Sequence, residues 1–373
     1  MLSMNIRILF TLLNVIIIVA GAKICDIPDR NETGICVKIG DCKPYSILVK
    51  NISTSSLVKC DNLDDKEYIC CPKTGFYVKD KVKRIRRDAD EECGVQEDSD
   101  RIYGGEKAGI YEFPWMALLF YLIKETNSIE PACGGTLIHK RFVLTAAHCV
   151  AGTITKDFVL KYIRLGENNL LENPDCITFQ NEKDCADPPI DFNPSKTLVH
   201  PEYNPQSWDK FNDIALIKLD HDTPYTDFIR PICLPDKFGF TDADILKITH
   251  FRSVGWGRTD YFNDTKPDTA SPFKLEVLLP RVDTNHCAKV YDQMATIRIN
   301  SSQICAGGGQ GKDTCRGDSG GPLLWFDLKK LKWFIFGIVS KGSSQCGTEG
   351  VPSIYTNVMS YSNWINKTIK NNL

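Results

Sequence analysis

The segment Gly317-Asp318-Ser319-Gly320-Gly321-Pro322 places a serine inside a glycine-rich turn. Because glycine has no side chain, the turn leaves room for a substrate carbonyl beside the serine hydroxyl. The backbone N–H groups of Gly317 and Ser319 can converge on one oxygen, as the stabilisation of a developing oxyanion requires. The segment therefore predicts a nucleophilic serine with its oxyanion hole.

Two earlier segments supply the other parts of a hydrolytic site. Thr145-Ala146-Ala147-His148-Cys149 ends an apolar run with a histidine, next to a cysteine that can fix its position. Asn212-Asp213-Ile214-Ala215-Leu216 opens another apolar run with an aspartate. A serine nucleophile needs a base for its proton and a group that holds this base in the correct tautomer. We therefore predict His148, Asp213 and Ser319 as the catalytic residues.

The order histidine, aspartate, serine is that of the chymotrypsin triad, and Gly255-Trp256-Gly257 lies between the last two. On these motifs, residues 102–373 resemble the chymotrypsin/trypsin family of serine proteases. The resemblance implies a double six-stranded antiparallel β-barrel and a peptide-hydrolysing activity.

The local sequence pattern independently favours β-structure. Short β-rich runs recur between Gly, Pro, Asn and Asp residues at 136–144, 158–165, 214–219, 275–282 and 333–339. Many short strands with little helical periodicity predict an all-β barrel or sandwich. At the C-terminus, five residues share one face at helical spacing, which predicts a helix there. They are Tyr361, Trp364, Ile365, Thr368 and Ile369.

Length and charge limit the alternatives. The 373 residues, 42% of them hydrophobic, suffice for one large core and a smaller module. A net charge of −2 gives no electrostatic reason to expect nucleic acid or an anionic membrane as a partner.

Residues 1–22 combine Arg7, an apolar run from Ile8 to Val19 and a small-residue end, which is typical of a signal peptide. A membrane anchor is the alternative, but the run is shorter than the roughly 20 residues that span a bilayer. We expect a secreted, extracellular protein.

Sixteen cysteines behind a signal peptide indicate a disulfide framework. Six of them lie close together, in a module whose small core three bridges would stabilise. Their spacing alone allows about 15 connectivities. The closing Cys70-Cys71-Pro72 resembles the clip domain of arthropod proteases, which we place at residues 23–72; a generic disulfide knot is the alternative. This resemblance implies the pairs Cys25–Cys70, Cys36–Cys60 and Cys42–Cys71.

Six of the remaining ten cysteines fit the family pattern. The resemblance implies Cys133–Cys149 beside the histidine, Cys287–Cys305, and Cys315–Cys346 around the specificity pocket. Cys93–Cys233 and Cys176–Cys185 complete the set, and the former would keep the N-terminal chain attached after activation.

Residues 73–101 form a polar connector with a basic run and then an acidic stretch, which indicates an exposed linker. A second processing site or a heparin-like contact is the alternative. The connector ends at Arg101-Ile102-Tyr103-Gly104-Gly105, which resembles the family's activation junction with Tyr103 in place of valine. The resemblance implies that cleavage after Arg101 frees the amino group of Ile102. That cation would pair with Asp318 and order the oxyanion hole, so the intact chain is predicted to be a zymogen.

Asp313 lies six residues before Ser319, where trypsin-like relatives carry the carboxylate of the specificity pocket. The resemblance therefore implies cleavage after Arg or Lys, with Ser340 and Gly342 at the pocket. Ser353 replaces a usual pocket-wall glycine and should narrow the pocket. Lys341 replaces a usual aromatic residue and adds positive charge beside the neighbouring subsites.

Glu167 and Asn169 match early positions of the family's calcium loop. Hard oxygen ligands suit Ca²⁺, so we predict a structural calcium site, while the chemistry itself is expected to need no cofactor. Five sequons agree with the secretory route. They are Asn31, Asn51, Asn263, Asn300 and Asn366.

We therefore predict an endopeptidase that acts on a protein substrate, itself another zymogen, in a haemolymph cascade such as innate immunity or melanisation. The resemblance implies an upstream activating protease and a serpin-type inhibitor, and neither nucleic acid nor membrane is an expected partner. Two alternatives stay open. The intact triad disfavours a catalytically silent clip-domain cofactor, and the clip module disfavours a venom or digestive protease.

Overall fold

The computed structural model describes residues 24–27, 32–38, 68–72, 93–96, 107–179, 182–258, 270–295, 297–311, 313–343 and 345–373. The chain divides into two compact units, Met1–Ile85 and Arg86–Leu373. In the first unit, the antiparallel strands β1 (Ile24–Ile27), β2 (Glu32–Lys38) and β3 (Tyr68–Pro72) form one sheet. The three disulfides predicted for this module rest on side chains outside the described residues. The signal peptide, most of the linker and the activation junction also lie outside them.

The first half of the second unit is a seven-stranded antiparallel sheet. Its strands are β4 (Met116–Ile123), β5 (Ile129–His139), β6 (Phe142–Thr145), β7 (Phe158–Leu165), β10 (Ile190–Phe192), β11 (Pro194–Val199) and β12 (Ala215–Leu219). They lie in the order β10-β7-β4-β5-β6-β12-β11, and the sheet curls so that β11 approaches β7. Between β7 and β10, a separate hairpin pairs β8 (Cys176–Phe179) with β9 (Glu182–Cys185).

The second half is a closed six-stranded barrel. Its strands are β13 (His250–Gly255), β14 (Leu275–Val282), β15 (Gln303–Gly307), β16 (Pro322–Asp327), β17 (Lys332–Lys341) and β18 (Pro352–Asn357). Around the barrel they follow the order β13-β14-β15-β18-β17-β16. The predicted all-β double-barrel fold is confirmed. The short edge strand β10 gives the first sheet one strand more than the predicted six.

One apolar core joins the two halves. Leu144 and Ile214 of the first sheet belong to the same buried cluster as Val254 and Ile338 of the closed barrel. Each buried side chain of this size contributes about 1.5–3 kcal/mol. The shared core fixes the first sheet against the closed barrel. Loops from both can therefore meet at a constant distance along the boundary between the two halves, here called the seam.

Helices are few and mostly short: α1 (Ala147–Val150), α2 (Ile154–Asp157), α3 (Asp242–Ile245), α4 (Thr284–Ala295) and α5 (Ser362–Asn372). Short 3₁₀ turns occupy Pro235–Phe238 and Val358–Tyr361. The predicted C-terminal helix is α5, and it packs through the fully buried Ile365. Among the described residues, no helix is long and apolar enough to cross a bilayer.

Two local predictions were wrong. The run at 136–144 predicts one strand, but it contains the end of β5, a turn and the start of β6, because His139 and Phe142 pair across a tight connection. Helix α4 was not predicted at all. It buries Cys287 and Tyr291, which stand four residues apart and mark its inner face.

Candidate active site

His148 and Asp213 meet at the seam between the two halves. Helix α1 begins directly after β6 and carries His148, while Asp213 precedes β12, the strand paired with β6. The Asp213 carboxylate accepts a hydrogen bond from the His148 backbone N–H at 2.9 Å and lies 2.8 Å from its Nδ1. Asn212 takes a positive φ of 59°, which asparagine tolerates, and turns the chain into this contact. The pair fixes the ring so that Nε2 is turned away from the carboxylate.

Asp213 is fully buried, and its charge is stabilised by several donors. The Ser340 hydroxyl donates to Oδ2 at 2.6 Å, and the Thr356 hydroxyl donates to the Asp213 carbonyl at 2.9 Å. Burial raises the pKa of this carboxyl, but the His148 ring and the hydrogen bonds outweigh it and hold the pKa below its usual range. The sequence analysis assigned Ser340 only to the specificity pocket and missed this contact. Its place at the end of a strand gave no sign of its partner.

The Ser319 turn is held by backbone conformations that only glycine adopts readily. Gly317 has φ +100° and Gly320 has φ +78°. A Cβ at Gly320 would lie 2.2 Å from Thr145 Oγ1 and 2.5 Å from the Gly134 carbonyl oxygen. The turn therefore fits against the first sheet only because residue 320 lacks a side chain.

This packing brings Ser319 beside the histidine segment. The Gly134 N–H donates to the Ser319 carbonyl at 2.7 Å, and Cys149 Sγ lies 3.6 Å from the same oxygen. No hydrogen bond joins the Ser319 hydroxyl to the His148 ring in the described structure, a contact that often tightens only when substrate binds. The three predicted catalytic residues are thus in one place, with the aspartate-histidine half of the relay formed.

The predicted oxyanion donors face no described acceptor. The backbone N–H groups of Gly317 and Ser319 donate to no described residue, whereas the intervening Asp318 N–H donates to the Cys315 carbonyl at 3.0 Å. Both N–H groups are therefore available to a carbonyl oxygen placed over the turn.

Three of the predicted pocket residues, Asp313, Gly342 and Ser353, lie together beside the closed barrel. Asp313 Oδ1 accepts from the Thr314 N–H at 2.8 Å, while Asp313 Oδ2 and the Ser353 hydroxyl are buried without a described hydrogen-bond partner. A Cβ at Gly342 would lie 2.8 Å from Ser353 Oγ, so this glycine keeps the pocket open. Burial raises the pKa of Asp313 to about 6, although the nearby Ser353 hydroxyl and the Thr314 N–H oppose that shift. A carboxylate in such surroundings favours a cationic ligand that can satisfy it.

Asp318, the predicted partner of the Ile102 amino group, points back into the barrel. Its carboxylate accepts from the Gly257 N–H at 2.8 Å and the Cys315 N–H at 2.9 Å. A Cβ at Gly257 would lie 2.2 Å from Asp318 Oδ2, which explains why the Gly-Trp-Gly segment has a glycine there. Burial raises the pKa of Asp318 to about 6. Arg101 and Ile102 lie outside the described residues.

The disulfides of the second unit join the cysteines that the resemblance pairs. They are Cys93–Cys233, Cys133–Cys149, Cys176–Cys185, Cys287–Cys305 and Cys315–Cys346. Cys93 precedes the activation junction and Cys233 follows it, so this bridge links the two sides of the junction. Of the sequons, Asn300 and Asn366 are exposed, and Asn31, Asn51 and Asn263 lie outside the described residues.

The predicted calcium residues lie in a buried acidic loop. Glu167 and Asn169 are both buried, and the sequence analysis missed Asp175, whose Oδ2 accepts from the Asn168 and Asn169 N–H groups at 3.0 Å. Asp175 Oδ1 is buried without a described partner. Burial and the charge of Asp175 raise the pKa of Glu167. A buried oxygen without a donor next to a second carboxylate fits a hard cation such as Ca²⁺.

Lys274 is a further buried charge that the sequence did not reveal. Its ammonium donates to the Glu112 carbonyl at 2.7 Å, and its backbone N–H donates to the Asn168 carbonyl at 2.8 Å. Burial lowers its pKa to about 8, although the charges of Glu112, Asp175 and Glu167 oppose that shift. Lys274 thereby connects the segment at Glu112 with the acidic loop at Asn168.

Comparisons with known proteins extend over both units. The Trypsin family matches residues 102–365. The CLIP domain-containing serine protease B8 of Anopheles gambiae is 40% identical over 369 residues, which cover 92% of this chain and 89% of the relative. Phenoloxidase-activating factor 1 of Holotrichia diomphalia is 36% identical over 373 residues, 97% of each chain. A crystal structure of the Drosophila Grass clip serine protease of the Toll pathway matches with a TM-score of 0.64 and 31% identity, over 94% of this chain and 98% of that one.

Proposed function

The chain belongs to the clip-domain serine proteases of the trypsin family, and from this we propose a secreted zymogen whose processed form cleaves proteins after Arg or Lys. Its activity is that of a trypsin-like serine endopeptidase acting on protein substrates. Three further properties of this enzyme are proposals: its secretion, its activation by cleavage after Arg101, and its preference for cleaving after basic residues.

In the proposed reaction, the Ser319 hydroxyl attacks the scissile carbonyl and His148 Nε2 accepts its proton. The Asp213 carboxylate, 2.8 Å from Nδ1, stabilises the imidazolium that forms. The N–H groups of Gly317 and Ser319 stabilise the oxyanion. The imidazolium then returns the proton to the leaving amine, and water repeats the sequence on the acyl-enzyme with His148 as its base.

The unpartnered carboxylate oxygen of Asp313 carries the proposed specificity. The Ser353 hydroxyl shares its pocket, and Gly342 keeps the pocket open. An arginine or lysine side chain would supply the missing donors and the opposite charge, whereas an apolar side chain would leave the carboxylate buried and unpaired. The hydroxymethyl group of Ser353 should narrow the pocket.

We expect Asp313→Ser to lower kcat/KM for an arginyl peptide amide by about a hundredfold or more, because the substrate cation loses its buried partner. Hydrolysis of a phenylalanyl amide should not fall with it. The exposed Asp187→Asn is the charge-matched control and should behave as wild type. Equal hydrolysis of arginyl and phenylalanyl amides by the processed wild type would contradict the proposed specificity.

We propose an extracellular haemolymph cascade, such as innate immunity or melanisation, as the setting. Relatives named for phenoloxidase activation and melanization support this. In such a cascade an upstream protease would cleave after Arg101, a serpin-type inhibitor would stop the enzyme, and the substrate would be another zymogen. The silent-cofactor alternative is disfavoured by the formed His148–Asp213 pair, and the venom or digestive alternative by the clip-domain relatives.

We also propose that Glu167, Asn169 and Asp175 hold a structural Ca²⁺. The ion would add to the partial neutralisation that Arg164 and Lys274 give these carboxylates, and would fix the loop before the β8–β9 hairpin without taking part in the chemistry.

Excess Ca²⁺ is expected to raise the melting temperature of the processed protein by about 5 °C relative to a chelator, because an ion bound only to the native state stabilises it. Asp175→Asn should remove most of that shift, and Asp187→Asn should keep it. The same melting temperature in Ca²⁺ and in chelator would contradict the site.

A further inference from the structure

An open cleft of about 440 Å³ lies beside the catalytic pair, and a lysine is among its lining residues. His148 and Ser340 line one side, and Lys210, two residues before Asn212, lines another. Asp157 is the acidic residue among the lining side chains. Because the cleft opens beside the imidazole, it is accessible to residues of a peptide bound for hydrolysis.

A second lysine flanks the same path. Lys341 follows Ser340, which donates to Asp213, and precedes Gly342, which borders the Asp313 pocket. The segment 340–342 therefore runs from the catalytic aspartate to the specificity pocket. The Lys341 ammonium donates to the Trp208 carbonyl at 3.1 Å and lies 4.9 Å from the centre of its exposed indole ring. These contacts fix the ammonium against Trp208, next to Ser340, which lines the cleft.

The two lysine charges are only partly compensated by nearby carboxylates, Asp157 at the cleft and Asp209 beside Lys341. Asp209 is the carboxylate nearest to Lys210 in sequence, and it forms an ion pair with Arg298. Arg298 Nε and Nη2 lie 2.8 and 2.6 Å from Asp209 Oδ2. No salt bridge to Lys210 or Lys341 is formed among the described residues. Burial and the charge of Lys210 lower the pKa of Lys341, although Asp209 partly opposes this. A substrate carboxylate at this place would offset the repulsion between the two lysine charges.

We propose that Lys210 and Lys341 form a cationic rim that selects substrates with Asp or Glu in the three positions preceding the basic residue. The inference rests on the proposed function, since it assumes that the basic side chain occupies the Asp313 pocket. An extended peptide advances about 3.3 Å per residue with alternating side chains. With the basic side chain anchored beyond Gly342, the preceding side chains pass Lys341 on one side and face the Lys210 cleft on the other.

The test compares arginyl peptide amides that carry Glu, Gln or Lys in the three preceding positions. We expect the processed enzyme to favour the Glu peptide over the Gln peptide by about five- to twentyfold in kcat/KM at low salt, since two partly exposed ion pairs contribute up to about fivefold each. Lys210→Gln/Lys341→Gln should bring the ratio near one, and the double Glu variant should favour the Lys peptide. The exposed Lys370→Gln should keep the wild-type ratio. Added salt should compress the ratio through screening.

Equal rates on the Glu and Gln peptides, or an unchanged ratio in the double Gln variant, would overturn the inference while leaving the proposed function intact. Failure to hydrolyse even the Gln peptide would overturn the proposed function, and this inference with it.

Discussion

Ser319→Ala is expected to lower turnover of an arginyl peptide amide by about a millionfold, because the catalytic residues act as one unit. The variant should fold and melt as wild type does, since no described residue forms a hydrogen bond with the Ser319 hydroxyl. Its backbone contacts, including the 2.7 Å bond from Gly134, do not involve the side chain. Steady-state hydrolysis by the processed protein measures the loss of turnover, and its thermal unfolding measures whether the fold is retained.

Ser360→Ala is the matched control, because that serine is exposed and its hydroxyl donates to the Ser301 carbonyl rather than to a catalytic residue. It should retain full activity. Residual hydrolysis above about one per cent in Ser319→Ala, with contaminating protease excluded by a serpin or small-molecule inhibitor, would remove Ser319 from the role of nucleophile.

Arg101→Gln is expected to give a chain that folds but stays at least about a hundredfold less active than the processed enzyme. Without the Ile102 amino group, the backbone N–H groups of Gly257 and Cys315 are the donors described for the Asp318 carboxylate, and an unpaired buried charge costs about 3–5 kcal/mol. The amino group of Ile102 should therefore make the oxyanion turn next to Asp318 more stable in the processed enzyme than in the intact chain. Amidase activity after treatment with trypsin is the measurement, and Arg87→Gln in the linker is the control that should still activate.

Recovery of full activity by Arg101→Gln after trypsin treatment would contradict this activation site. In the wild type, the Cys93–Cys233 bridge should keep the two products together until they are reduced.

The pH dependence of stability gives a second readout of the same carboxylate. The pKa of Asp318 in the uncleaved fold is raised to about 6, above the unfolded value of about 3.9. Its contribution to stability is therefore complete below about pH 4 and lost as the pH rises through 6. Pairing with the Ile102 cation should cancel this loss, so the gain in melting temperature on processing should be larger at about pH 7.5 than at about pH 5.

The sequence was sufficient for the fold class and for the residues that meet at the seam. Each catalytic residue stands in a short motif whose chemistry limits what it can do, and the ordered set identifies the family. Features that depend on contacts between distant segments were not accessible. Ser340 reaches Asp213 across 127 positions of the chain, and no local pattern marks that pair.

The acidic loop shows the same limit. Glu167 and Asn169 follow a recognisable motif, but Asp175 enters through a loop whose length and conformation no spacing rule predicts. Lys274 is buried by segments from both halves, and its surroundings in the sequence resemble those of an exposed strand residue. Helix α4 was missed because only a narrow face, Cys287 and Tyr291, is buried, and the remaining polar residues hide the period.

Covalent labelling of the processed enzyme with diisopropyl fluorophosphate, followed by peptide mass spectrometry, tests the central claim most directly. We predict one label per chain on Ser319, with little labelling of His148→Ala or of uncleaved Arg101→Gln. An unlabelled Ser319 in fully processed protein, or equal labelling in His148→Ala, would contradict the convergence of these side chains into a working relay.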